Sequence, residues 1–546
     1  MPLMTGGAKK PRQLTPNSIE ELQRIVRNAT TCCRALGAPK SFTGADDEGV
    51  EISLQQVATL TEMSMDSEAR QVTCSAGTTW IELAMYLESH GWAMHNLPSS
   101  AHLSVGTSLA SAAHGSGDSC SCLLDALVAC EYVDPDGALV CSGGHADSIA
   151  PHSLPVADKV PTLQAVLLGG LGILVEATLK IVPSFRMRQD VYECLPWSRF
   201  DETMYLDAFF SEAYSTSVFT DFQKTGKLPY ACCKRKEPLT PGGAPTPLPP
   251  APLVRFQGSL ATKPRHPDLN EKEPVTECTP QGEPSAPWCE RLHDFITPCD
   301  PNKADDFLHS EYFVSRDAAP AAVRALRSVG TMQAVRDMFK YAELRSVAAD
   351  ELWLSPAYRR PSLAIHFVWK HDLPRVRKAI QHVEALLAPF SPRPQWGTVF
   401  NFAPETVAAS YPKMIAYRKL VEELDPKGKF QNSFFKRLVF GAQMESVDTI
   451  DADKRREMLT AEQPLEKKFE DAAPFPYIGS KLQGAYPRVY NLVHGHIDAR
   501  QDDPIDPPPA VKERELLLAR SLRRPGGQVS YQAIDFVDGE GGEGLA

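Results

Sequence analysis

The chain has 546 residues and a formal net charge of −11, long enough for two or more domains with sizeable cores and too acidic for broad binding to nucleic acid or anionic membranes. It has no run of about 18 apolar residues, so no transmembrane segment is expected, and its start, MPLMTGGAKKPRQL, lacks the apolar core of a secretory signal. Thirteen cysteines, an odd number with no C-x-x-C pair, point to reduced thiols in a cytoplasmic protein without a disulfide frame or a metal site.

Ile19, Leu22, Ile25 and Val26 recur at helical spacing and predict a helix within Pro16–Ala35, capped by Asn17 or Ser18, with Glu20 and Glu21 in its first turn. A turn-rich loop follows at RALGAPKSF (34–42). Val50–Leu54 and Gln71–Ala76 read as strands. Gly77-Thr78-Thr79 then turns into a helix, Trp80–His90, which Gly91 ends.

Residues 96–117, NLPSSAHLSVGTSLASAAHGSG, hold almost no long side chain. Glycine has no Cβ and lets a backbone come close to a ligand, and backbone amides and hydroxyls donate to anionic oxygens. A flexible linker does not need Leu97, Leu103, Val105 and Leu109. The stretch therefore reads as a pyrophosphate-binding segment, although it has neither G-x-G-x-x-G nor G-x-x-x-x-G-K-[ST].

Further along, Asp134-Pro135-Asp136-Gly137 is a turn between strands Ala126–Val133 and Ala138–Cys141, and Ile173–Val182 is another strand. From about Ser184 the character changes. Residues 237–252 are proline-rich, and 262–300 are expected to be mostly irregular. Strands return at His309–Val314, Tyr341–Val347 and Ser362–Trp369, with helices starting at Pro320 and covering Leu373–Leu387 and Tyr411–Leu424. That alternation predicts a second sheet with helices on one face, hence an α+β chain. The tail from 442 to 546 reads as helices at 452–470 and 510–522 with much disorder, and His494 and His496 as a solvated loop.

The order of these blocks resembles the alditol oxidase and sugar-lactone oxidase branch of the vanillyl-alcohol-oxidase-type (PCMH-type) FAD-binding flavoproteins. Its carriers are RALGAPKSF (34–42), AGTTWIELAMYLESHGWAMHNLPS (76–99), HLSVG (102–106), HGSG (114–117), LGGLGIL (168–174), FTDF (219–222), PWCERLHDF (287–295), AELRSVAADELWLSPAY (342–358), AIHFVW (364–369), RPQWGTVF (393–400) and LDPKGKFQN (424–432). The resemblance implies a two-domain fold. An FAD domain over 10–188 is completed by 402–441, a cap domain spans 189–401 with a proline-rich insertion near 237–265, and an extension at 442–546 could touch a partner. FAD contacts are implied at Leu36, Gly37, Ala38, Pro39, Lys40, Ser41 and Phe42, at Ser99, Ser104, Thr107, Ser108, Ser111, His114, Gly115, Ser116 and Gly117, and at Gly172 and Leu174.

The implied reaction is oxidation of a CH–OH group of a sugar alcohol or aldonolactone, with hydride passing to flavin N5 and dioxygen as final acceptor. Glu343 and Arg345 stand at i, i+2 on a strand and share one face. Arg345 would stabilise developing negative charge, and Glu343 and Ser99 would bind hydroxyls. A surface cross-strand charge pair is the alternative for Glu343 and Arg345. The substrate set implied is Ser99, Glu343, Arg345, His366, Val368, Gln395 and Thr398.

The chain departs from the family pattern at several of these positions. Lys40 stands at the usual flavin-linking histidine, so non-covalent FAD is expected. Thr107 stands at a glycine and Val368 at a substrate-binding threonine. Gln395-Trp396-Gly397-Thr398 stands where the alditol oxidases read H-W-G-K. A flavin-fold protein that binds FAD or a sugar with weak or no turnover is therefore the alternative reading.

Overall fold

Ser18 opens the first helix, Ile19–Asn28, by accepting a hydrogen bond from the Glu21 amide. The helix contains all four residues of that spacing and fills only part of Pro16–Ala35. It stops at Asn28, and Cys32–Ala35 is a strand paired in parallel with Gly49–Ile52. Thr30 and Thr31 are β-branched and favour extended backbone, and the strand's partner lies in a distant segment. The computed structural model describes residues 12–35, 49–60, 62–143, 154–155, 168–222, 230–237, 256–266, 278–294 and 307–441. The chain divides into units Met1–Glu445 and Ser446–Ala546, and every described residue lies in the first. The expected loop 36–42, the proline-rich stretch 238–255 and the 442–546 extension with His494 and His496 lie outside the described residues.

Two large sheets organise the described residues. The smaller has the strand order Ser64–Asp66, Gln71–Ser75, Ile173–Lys180, Leu127–Val133, Leu139–Gly143, Leu154–Pro155. Its hairpin closes as expected: the Asp134 carboxylate accepts from the amides of Asp136 and Ala138, and Gly137 takes φ +75°. Helix Trp80–Ser89 follows the Gln71–Ser75 strand. Thr79 and Glu82 cap it reciprocally, the Thr79 hydroxyl accepting from the Glu82 amide and the Glu82 carboxylate from the Thr79 amide.

The larger sheet has nine strands among the described residues, all antiparallel. Its centre runs Tyr230–Glu237, Ser215–Thr220, Phe339–Val347, Ser362–Lys370, Phe307–Ser315. One face is apolar, with Leu344, Ile365, Phe367 and Trp369 buried in the same core as Val376, Ile380 and Val383 of helix Leu373–Leu387. The hydroxyl of Tyr312 on this face donates to Glu384 of that helix at 2.9 Å. The other face carries the polar residues of the candidate site. Two parts of this sheet differ from the sequence expectation. Gly282–Pro287 is a strand inside the stretch expected to be irregular, and Arg186–Glu193 is a strand although it reads Arg-Met-Arg-Gln-Asp-Val-Tyr-Glu. Its charges are satisfied inside the sheet, where Asp190 takes Arg188 and Arg235 at 2.7 Å each.

Candidate active site

The glycine- and serine-rich segment is bolted to its surroundings through its backbone. The amides of Trp80 and Ile81 donate to Leu103 and Ala101, and those of Val105 and Gly106 donate to Thr78 and Ala76. Gly117 donates to Ser346 at 2.8 Å, which sets the end of the segment beside the strand that carries Glu343 and Arg345. The glycines serve this packing. A Cβ at Gly115 would collide with the Asn96 side chain, and one at Gly117, where φ is +143°, with the Tyr214 carbonyl. The close approaches seen at these two positions are therefore to this chain's own atoms.

Within the segment, Val105–Ala110 is a short helix. Ser104 caps it, lying 2.7 Å from the Thr107 hydroxyl, and Ser111 donates to the Thr107 carbonyl at 2.9 Å. Ser116 donates to the Thr216 carbonyl at 2.7 Å. The Ser108 hydroxyl is buried and has no hydrogen-bond partner among the described residues. Gly172 takes φ +150° against Tyr132, and Leu174 is buried in the strand beside it.

Strand pairing builds the other half of the site. Glu343 lies opposite His366, and His366 lies opposite Glu311 on the next strand, so the three side chains form one row across the polar face. Arg345 lies opposite Ala364. Glu311, Glu343 and Arg345 are at most 6 % exposed, which removes the surface charge-pair alternative. The Arg345 guanidinium donates through Nη1 to the Ser99 hydroxyl at 2.8 Å and through Nη2 to Glu311 Oε1 at 2.6 Å. Its Nε is 3.7 Å from Glu343 Oε2. The Ser99 carbonyl accepts from the Asp294 amide at 3.0 Å, and the Asp294 carboxylate takes the buried Lys234 ammonium at 2.7 Å, so Ser99 is held from behind.

Burial by itself raises the Glu311 carboxyl, but His114 and Arg345 outweigh it and hold Glu311 well below the ordinary carboxylate range. The same contest at Glu343, decided by Arg345 and then His366, leaves its carboxyl low, at about 2. Burial lowers His309 to about 3, with His366 beside it adding to the shift, and the two imidazoles meet at 3.0 Å. Both carboxylates are thus ionised at neutral pH, and His309 is neutral.

The structure brings Ser99, Glu343, Arg345 and His366 together, with Val368 two residues from His366 on the same face. It commits Gln395 and Thr398 to the backbone. Gln395 donates to the Ser111 carbonyl at 3.0 Å and accepts from the Gly397 amide. Thr398 accepts from the Glu311 amide at 3.1 Å and donates to the Gln395 carbonyl at 3.0 Å. His114 turns its Nε2 to Glu311 Oε2 at 3.1 Å. Glu311 is the residue that the sequence reading missed. Its strand was legible, but its partners are 34 and 197 positions away.

Glu343 Oε1, Arg345 Nε and His366 Nδ1 are buried without a hydrogen-bond partner among the described residues. Buried polar atoms in folded proteins are rarely left so. Together with the Ser108 hydroxyl they suit a polar cofactor along the small-residue segment and a hydroxylated substrate against the sheet.

Residues 12–142 match the family model "FAD binding domain", and residues 302–438 match "D-arabinono-1,4-lactone oxidase". The chain is 32 % identical to the alditol oxidase of a Streptomyces species over 427 residues, covering 78 % of this chain and 95 % of the relative. It is 21 % identical to mouse L-gulonolactone oxidase over 80 % of this chain and 97 % of that protein. Against D-arabinono-1,4-lactone oxidase of Eremothecium gossypii it is 31 % identical over 32 % of each. Among solved structures, a cholesterol oxidase from B. sterolicum superposes with a TM-score of 0.55 at 14 % identity, covering 78 % of this chain and 94 % of that one. At that identity the likeness concerns the fold.

Proposed function

The chain belongs to the FAD-binding alditol and aldonolactone oxidase family, with the α+β PCMH-type fold, and on that premise we propose that it oxidises a CH–OH group of a neutral sugar alcohol or aldonolactone. Bound FAD supplies the hydride acceptor, and dioxygen is the final one. The observation that carries this reading is Arg345, buried and hydrogen-bonded to Ser99 between two ionised carboxylates.

The side chains divide the work. Removing hydride from an alcohol carbon is eased by negative charge on its oxygen, and the Arg345 cation with the Ser99 hydroxyl is placed to receive that charge. One such donor is worth on the order of 10²–10³ in rate. Glu343 Oε1, without a hydrogen-bond partner among the described residues, and His366, whose Nδ1 lies 3.8 Å from Glu343 Oε2, bind neighbouring hydroxyls and orient the carbon. Val368 adds an apolar wall. In this reading Ser104, Thr107, Ser108, Ser111 and His114 to Gly117 line the dinucleotide, with Gly172, Leu174 and residues 36–42. In this reading 10–188 with 402–441 holds the cofactor, 189–401 carries the substrate face, and the protein works in the cytoplasm. Among the described residues no helix is long and apolar enough to cross a membrane.

FAD attachment is non-covalent in this reading. Lys40 stands at the position of the flavin-linking histidine, and a lysine with an ordinary pKa near about 10.4 is a poor nucleophile at neutral pH. Acid precipitation should release yellow FAD to the supernatant; a yellow pellet contradicts this.

Gln395 and Thr398 favour a second reading, FAD or sugar binding with weak turnover, because both side chains are spent on backbone groups. Hydrogen peroxide release from a panel of polyols and aldonolactones separates the two. Saturable turnover supports the oxidase; FAD-loaded protein that makes no peroxide with any of them supports the second reading. Deleting 442–546 tests a partner role for that segment: unchanged co-purifying proteins remove it.

A further inference from the structure

Glu311 touches the two halves of the site at once. One carboxylate oxygen takes Arg345 at 2.6 Å, and the other takes His114, in the glycine- and serine-rich segment, at 3.1 Å. His114 is fixed on its far side, where its Nδ1 donates to the Gly115 carbonyl at 2.8 Å, and its ring packs edge-on against Phe313 at 4.9 Å. The Glu311 amide is itself held by the Thr398 hydroxyl at 3.1 Å. A carboxylate this buried is costly unless each oxygen is partnered, and here each has a partner.

We propose that Glu311 is a positioning residue of the oxidation, holding the Arg345 guanidinium against Ser99 and coupling it through His114 to the segment that lines the cofactor. This rests on the oxidase reading. Arg345 has two carboxylates within reach, Glu311 at 2.6 Å and Glu343 at 3.7 Å. Were Glu311 neutral, the guanidinium would follow the remaining charge toward Glu343. It would then leave Ser99 and crowd the Glu343 carboxylate that a substrate hydroxyl needs. Glu311 thus keeps Arg345 on Ser99 and Glu343 open. Thr398 acts one step further back, by fixing the Glu311 backbone.

The test uses FAD-loaded full-length protein and four forms: wild type, Glu311→Gln, Arg345→Lys and the double variant. The expected result for Glu311→Gln is FAD content equal to wild type and a 10- to 100-fold slower anaerobic flavin reduction by xylitol or D-arabinono-1,4-lactone. In the Arg345→Lys background the same change should slow reduction less than about threefold, because residues acting through one another are non-additive. Losses that multiply in the double variant, or a Glu311→Gln rate within twofold of wild type, overturn the proposal. A crystal structure of Glu311→Gln gives a readout free of turnover. Arg345 displaced toward Glu343 and off Ser99 supports the role, and an unchanged 2.8 Å contact overturns it. If wild type is reduced by no polyol or lactone, the oxidase reading fails, while the crystal structure still decides whether Glu311 sets the Arg345 position. Should Glu311→Gln not fold, Glu311→Asp keeps the charge with a shorter reach and is read the same way.

Discussion

Arg345 and Glu311 lie on strands that are not neighbours, yet their side chains meet at 2.6 Å. The strand Ser362–Lys370 runs between them, and the residue under the guanidinium's path is Ala364, paired with Arg345 and with Phe313. Two sheet spacings amount to roughly 10 Å, which an extended arginine spans only if nothing stands in between. A bulky residue at 364 therefore breaks the pair without touching a charged group.

Ala364→Leu should keep FAD bound and slow anaerobic flavin reduction at least about tenfold, at a stability cost of about 1–3 kcal/mol from overpacking. Stopped-flow reduction and a thermal melt check both. A reduction rate equal to wild type would mean that the reach of Arg345 to Glu311 has no bearing on turnover.

Glu343 is ionised, with one buried oxygen unpartnered among the described residues. Hydrogen bonds to a charged group are worth about 1.5–3 kcal/mol, so Glu343→Gln should lower kcat/KM roughly 10- to 100-fold while FAD content holds. Because the carboxyl sits near 2, its own titration should leave no inflection in a kcat/KM profile between pH 5 and 8. Steady-state kinetics across that range check both statements.

Arg345 is already shared by Glu311 and Glu343, and position 398 offers a threonine whose hydroxyl is engaged. A carboxylate on the substrate would meet two ionised carboxylates at close range. An aldonolactone should therefore have a kcat/KM at least tenfold above its ring-opened aldonate. Equal values for the two would contradict this charge balance.

Glu384 tests the electrostatics away from the site. Burial raises its carboxyl to about 7, against about 4.3 when unfolded. A folded pKa above the unfolded one contributes stability that is fully present below about pH 4.3 and is lost as pH rises through 7. Glu384→Gln keeps an acceptor for Tyr312 and Asn401, so it should melt higher than wild type at pH 8 and show a much smaller difference at pH 5. A pH-independent difference between the two proteins would contradict the shift.

Where periodicity and a cap coincide, the sequence was sufficient. Leu373–Leu387 has its bounds as expected, because Asp372 accepts from the Arg375 amide and the apolar residues recur at helical spacing. Tyr411–Leu424 begins only at Met414, and Lys413 before it provides no side-chain cap. Strands whose buried faces are charged were illegible: Arg186–Glu193 depends on Arg235 from another strand. The candidate site shows the same division. Glu343 and Arg345 could be placed on one face by their i, i+2 spacing, and the small-residue segment by its composition. Which carboxylate holds Arg345 depends on strand order, and no local pattern encodes that Glu311 lies one strand beyond His366.

In the proposed reaction bound FAD accepts hydride from an alcohol held by Arg345. The most direct measurement is the visible spectrum of the purified protein under anaerobic conditions, before and after adding polyols and aldonolactones, for wild type and Arg345→Ala side by side. Both proteins should show a flavin spectrum, at least one member of the panel should bleach wild type, and bleaching should be at least 100-fold slower in the variant. Equal bleaching rates in the two, or a wild-type protein that neither carries nor takes up FAD, would contradict it.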